Sequence, residues 1–131
     1  MLNNPKDILK TINSIAIVGI SSKEEKDSYK VMKFLIERGY KVFPVNPNEE
    51  GEYILGRKCY KNISDIDDEV DMVDVFRKKE FVYEVTKEAI KINAKVLWTQ
   101  LDIICEDSFN LAQDAGLSVI MNKCPKIELE D

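Results

Sequence analysis

Gly19-Ile20-Ser21-Ser22 is the segment of this sequence best suited to hold an anion. It lies between a short apolar run, Ile15-Ala16-Ile17-Val18, and a helical stretch opened by Ser28. Backbone N–H groups and the positive end of a helix dipole would converge there on a phosphate. A dinucleotide fingerprint would repeat glycine at positions 21 and 24, where Ser21 and Glu24 stand, so only its first glycine is present. NAD sites also carry an acidic residue after the second strand for the ribose hydroxyls, and Val45-Asn46-Pro47 offers none. A plain tight turn is the competing reading of Gly19.

Residue types exclude much other chemistry. The chain has no histidine, which removes the commonest general base and the commonest metal ligand. Cys59, Cys105 and Cys124 are odd in number, far apart and form no Cys-x-x-Cys pair, so they read as separate reduced thiols. Asp74 together with Lys123-Cys124-Pro125 superficially fits a phospho-acceptor receiver domain. That chemistry needs a divalent metal held by acidic residues just after the first strand, and Gly19 to Ser22 supply no carboxylate. No catalytic or metal-binding residue is assigned.

The elements that must position these groups alternate along the chain. Residues 15–18 predict a strand buried on both faces and ended by Gly19. Ser28 is the expected cap of a helix whose inner stripe is Val31, Met32, Leu35 and Ile36, with Gly39 as its stop. Residues 41–45 predict a second strand, unusual in containing Pro44, that ends at the turn Asn46-Pro47-Asn48. Residues 49–60 predict a loop, Ser64-Asp65-Ile66 a helical turn, and 72–76 a third strand. A helix over 80–93, a strand over 96–98, a helix over 107–115 and a strand over 117–121 follow, with a covering helix at 5–12. Such alternation builds a parallel sheet covered on both faces. The expected fold is α/β, a Rossmann-like three-layer domain over residues 1–131, its five-stranded parallel sheet in the order 3-2-1-4-5. A ligand would lie at the carboxyl ends of the strands, along 19–28, 45–47, 75–77, 98–101 and 122–124.

Composition narrows the partners. Lys and Arg total 19 against 24 for Asp and Glu, a formal net charge of -5, so neither nucleic acid nor anionic lipid is an expected partner. No apolar run is long enough to cross a bilayer, and Met1-Leu2-Asn3-Asn4-Pro5-Lys6-Asp7 lacks the layout of a secretion signal. The expected location is the cytoplasm.

Several segments carry a resemblance when taken in order: Ala16-Ile17-Val18-Gly19-Ile20-Ser21, Ser28-Tyr29, Gly39 to Pro47, Ile54-Leu55-Gly56, and Val73-Asp74-Val75-Phe76-Arg77. Trp98-Thr99-Gln100-Leu101, Ala115-Gly116-Leu117 and Cys124 with Lys126-Ile127-Glu128 continue it. The chain resembles the small stand-alone CoA-binding proteins of bacteria and archaea, which are similar to the nucleotide-binding domain of the succinyl-CoA synthetase alpha subunit. The resemblance implies a module that binds coenzyme A or a short acyl-CoA and is not catalytic by itself. The alternative it leaves is the CoA-binding component of an acyl-CoA synthetase that acts with a separate ATP-grasp subunit; an NAD(P)-type module ranks third. A synthetase alpha subunit also needs a phosphorylated histidine, which this chain lacks.

The resemblance also implies roles. Gly19, Ile20, Ser21 and Ser22 would take the pyrophosphate beside Ser28, with Lys26 as counter-charge where the family typically has arginine, so a point charge replaces a bidentate fork. A larger side chain at Gly19 is expected to meet phosphate rather than protein. Lys41, Val45, Asn46 and Pro47 would border the adenosine, and Arg77, after Val75 and Phe76, would face a phosphate. Phe76 and Trp98 would line the pantetheine channel, plain core being their competing role. Gln100 and Cys124 belong to the binding edge, Cys124 first as an inert thiol and second as a mixed-disulfide partner of the CoA thiol.

Overall fold

Ser14 to Val18 is buried along its whole length, which requires apolar layers on both faces of the strand it forms. The computed structural model describes residues 4–130 and supplies both layers. The chain runs α1 (Pro5–Lys10), β1 (Ser14–Val18), α2 (Asp27–Glu37) and β2 (Lys41–Val45), then a 3-10 turn (Pro47–Glu49). A small hairpin of β3 (Tyr53–Ile54) and β4 (Arg57–Lys58) leads to a second 3-10 turn (Ile63–Asp65) and β5 (Met72–Val75). The remainder is α3 (Lys79–Lys91), β6 (Val96–Thr99), α4 (Glu106–Asp114), β7 (Ser118–Ile120) and α5 (Pro125–Leu129).

Alternation along the strands sorts the core into two layers. Ile15, Ile17, Met72 and Trp98 face one side and pack with Leu9, Met32, Leu35 and Leu129 of α1, α2 and α5. Ala16, Val18, Val73, Val75 and Leu97 face the other side and pack with Val82, Ala89 and Ala112 of α3 and α4. The protein is thus the expected Rossmann-like α/β fold with a five-stranded parallel sheet.

The strand order differs from expectation. The sheet runs β2-β1-β5-β6-β7, so the third parallel strand lies beside β1 and not outside β2. Its register sets Ile15 against Met72 and Val18 against Val75. The reason lies in the segment taken above for a loop. Tyr60 donates its N–H to the Pro44 carbonyl at 3.0 Å and accepts from the Asn46 N–H at 2.9 Å, occupying the outer edge of β2. Pro44, whose ring nitrogen has no hydrogen to give, faces that same edge, where β2 makes no further strand pairing. The crevice at which the order reverses therefore falls between β1 and β5.

Candidate functional site

β1 delivers Gly19 to the carboxyl edge at φ +90°, which glycine adopts freely. A Cβ at this position would stand 2.6 Å from the Phe76 carbonyl oxygen and 3.0 Å from Arg77 Cδ. The close neighbour is protein, not ligand, and this corrects the expectation that a larger side chain at position 19 would meet phosphate alone. The N–H groups of Gly19 and Ile20 are both directed at the Val45 carbonyl, at 2.8 and 3.4 Å.

Ser28, expected as the helix cap, sits inside the first turn of α2, and its Oγ accepts the Ser21 N–H at 3.0 Å. Lys26 is the residue at the cap, and its side chain makes no capping bond. The N–H groups opening α2 thus receive no acceptor from the cap side chain. Ser21 Oγ accepts from the Lys23 N–H at 3.1 Å. Ser22 Oγ donates to Glu49 Oε1 at 2.8 Å, while Glu49 Oε2 is buried without a partner. Asn46 uses both ends of its amide: Nδ2 donates to the Ile20 carbonyl at 2.7 Å and Oδ1 accepts from the Asn48 N–H at 2.9 Å. It braces the 19–22 loop against the turn that holds Glu49.

The cations divide. Arg77 lays its guanidinium over the Phe81 ring at 4.2 Å and, with Lys61, Val18, Val45 and Pro47, lines a small cleft of about 50 Å³. Val75 is buried in the wall of β5 behind it. Glu88 also borders this cleft, with a buried, unpartnered Oε2. Lys41 belongs elsewhere. It opens β2 at the amino edge of the sheet, pairs with Asp68 and lies over the Phe43 ring, so it borders no cavity at the carboxyl edge.

A larger cavity, about 470 Å³, opens beside the start of α2. Asp27, Lys30 and Val31 of α2 form one wall, Phe76 and Gln100 its floor, and Cys124, Lys126 and Ile127 the wall opposite. Its apolar lining with a few polar groups suits a flexible organic chain. The rim is tied together. Trp98 is fully buried, and its indole N–H donates to the Lys123 carbonyl at 2.9 Å, so this side chain is core and brace, not channel lining. Asp102 and Asn122 both have left-handed backbones, which these residue types tolerate, and the Asp102 N–H donates to Asn122 Oδ1 at 2.7 Å. Thr99 Oγ1 donates to the Ile103 carbonyl at 2.6 Å and accepts the Asn122 N–H at 3.3 Å.

Beneath the cavity Asp74 is wholly enclosed, and burial pushes its carboxyl well above the usual carboxylate range. With its amide assigned by the groups around it, Gln100 directs its nitrogen at Asp74 Oδ1 and Oδ2, 2.9 and 3.3 Å away. Burial also drives Cys59 up to about 11 and raises Cys105. Among the described residues no group of three or more Cys, Asp or Glu is placed to hold a metal ion, and no helix is long and apolar enough to cross a membrane.

Of the residues singled out in the sequence, the structure gathers Gly19 to Ser22, Lys26, Ser28, Asn46 and Pro47 around one loop, and Phe76, Gln100 and Cys124 around one cavity. The wall made by α5 was missed. Its signal was Pro125, a residue type favoured at the first position of a helix. The family described as CoA binding domain matches residues 13–130. The chain belongs to that family. One relative with which this CoA-binding-domain protein compares is the uncharacterized protein YneT of Bacillus subtilis (strain 168), 34% identical over 93% of this chain and 89% of its own length. A hypothetical protein from Pyrococcus horikoshii OT3 shares the fold with a TM-score of 0.90 at 41% identity, over 98% of this chain and 89% of that one. The alpha subunit of the ADP-forming acetate–CoA ligase I of Pyrococcus furiosus is 40% identical over 73% of this chain. The matched region is only 20% of that subunit.

Proposed function

We propose that this domain binds coenzyme A, or a short acyl-CoA, along the carboxyl edge of its sheet and carries out no reaction on it alone. The pyrophosphate lies against the 19–22 loop and the uncapped start of α2, with Lys26 as counter-charge. The adenosine end lies over the edge formed by Val45 and Pro47, outside the small cleft where Lys61 and Arg77 stand to meet phosphate. The pantetheine arm enters the larger cavity over Phe76, Gln100 and Cys124. The observation that carries this reading is the pairing, at one edge, of an eleven-residue helix whose start has no side-chain cap with a cavity of about 470 Å³ lined by both apolar and polar side chains. A family match to the CoA binding domain supports the choice of ligand.

A second reading makes the domain the CoA-binding component of an acyl-CoA synthetase with a separate ATP-grasp subunit. The likeness to the acetate–CoA ligase subunit favours it, whereas the absence of histidine from this sequence favours a module that does no chemistry by itself.

Native mass spectrometry and calorimetry test the proposal. CoA is expected to bind at least about tenfold more tightly than NAD or dephospho-CoA, a difference of roughly 1.4 kcal/mol. The same preparation is expected to release no thiol from acetyl-CoA or succinyl-CoA. Equal or tighter binding of NAD would remove the CoA assignment, and turnover abolished by a single point mutation would make the protein an enzyme.

A further inference from the structure

Asp74 is a carboxyl group in an apolar layer. Its cross-strand neighbours are Ile17 on β1 and Trp98 on β6, both fully buried. No cation approaches it, and Gln100 is its one side-chain partner among the described residues. A buried polar group with so little compensation destabilises a fold, and an apolar residue of similar size would pack there more favourably. Its side-chain contact is with one group, the amide of Gln100.

Gln100 is itself 7% exposed, and what it does expose faces the large cavity. The spacing makes this geometry. Asp74 and Phe76 lie two residues apart, as do Trp98 and Gln100, so all four project toward the face that carries α2 and α5. The Gln100 backbone N–H donates to the Val75 carbonyl at 3.2 Å, carrying the β5–β6 pairing one residue beyond the strand. The side chain therefore stands at a fixed height above Asp74. With Nε2 turned to the Asp74 carboxyl, Oε1 is the opposite end of an amide whose residue lines the cavity.

We infer that Asp74 is a positioning residue for the ligand arm: it holds the Gln100 amide so that the carbonyl end faces the cavity and accepts an N–H donor from the bound molecule. Under the CoA reading, on which this inference rests, that donor is an amide N–H of the pantetheine arm. Asp74 touches no ligand, and Gln100 reads the arm while the nucleotide end is held elsewhere.

The test separates the arm from the nucleotide. Calorimetry on the intact protein is run with CoA and with adenosine 3′,5′-bisphosphate, which has no arm. Asp74→Val is expected to lose about tenfold in CoA affinity, the worth of one hydrogen bond of ordinary strength, with bisphosphate binding unchanged. Asp74→Asn keeps an acceptor for Nε2 and should stay within about threefold of the parent. Gln100→Leu should reproduce the loss and guards against a folding defect in Asp74→Val. A parent protein that binds CoA while Asp74→Val and Gln100→Leu bind it equally well would overturn the positioning role alone. Parallel loss of both ligands in Asp74→Val with normal binding in Gln100→Leu would assign Asp74 to the fold. A parent that binds neither ligand would overturn the CoA reading itself.

Discussion

Asp74 and Gly19 show how one residue can be conspicuous in the sequence and still be misread. The folded-state pKa of Asp74 lies well above the value of about 3.9 expected for an unfolded aspartate. The folded protein therefore holds this proton more tightly than the unfolded chain, and the group's contribution falls as pH rises from about 4 toward the folded pKa. Asp74→Asn, which cannot ionise, should accordingly gain thermal stability over the parent at neutral pH, and the gain should vanish near pH 4. Melting curves across that range check the sign; a constant difference at all pH values would mean that the carboxyl does not titrate on folding. Asp74 was legible only as an acid in a strand, because a partner 26 positions away leaves no local pattern. Gly19 was legible as a glycine that a turn needs. The reason it is needed, the Phe76 carbonyl at 2.6 Å from any Cβ, depends on β5 lying beside β1 and could not be read from the loop.

Between the elements, the loop after β1 meets the turn after β2 through two side chains. Asn46 bridges them by its amide, and Glu49 accepts the Ser22 hydroxyl, placing a carboxylate against the loop proposed to hold pyrophosphate. A second anion brought to that loop must displace or oppose this carboxylate, whereas Lys26 attracts it. Glu49→Gln should therefore tighten CoA binding, Lys26→Ala should weaken it, and both effects should shrink as salt rises past 0.1 M, where screening acts within about 10 Å. Titrations at two salt concentrations distinguish these charge effects from lost packing, which salt would leave in place. The periodicity of the helices and the burial of the strands located these elements within one or two residues. It gave no account of Lys41, which stands at the start of β2 beside Asp68, because the strand's apolar pattern does not say which charged neighbours its ends will meet. It also missed the β3–β4 hairpin, whose strands are two residues long and have no alternation to detect.

At the scale of the whole molecule, the order β2-β1-β5-β6-β7 decides where a ligand can touch many elements at once. With β5 next to β1, the segment Phe76-Arg77 closes on the 19–22 loop from one side while Gln100 and α5 close the larger cavity from the other. Alternation of strands and helices made the parallel sheet readable, but which side of β1 the third strand would take depended on Tyr60 capturing the outer edge of β2, a pairing 15 residues from Val45. Because the proposed ligand bridges β1, β5, β6 and α5, its binding should be felt by the fold as one unit. A ligand that binds only the folded state stabilises it by about 2.7 kcal/mol at a hundredfold excess over Kd. For a domain of this size that is a rise in Tm of roughly 10 °C. Differential scanning calorimetry should show one cooperative transition that CoA moves by this amount, adenosine 3′,5′-bisphosphate by less and NAD by least. A transition split in two by CoA would mean that only part of the sheet holds the ligand. An equal shift from NAD would place the recognition in features common to all dinucleotides and not in the cavity beneath α5.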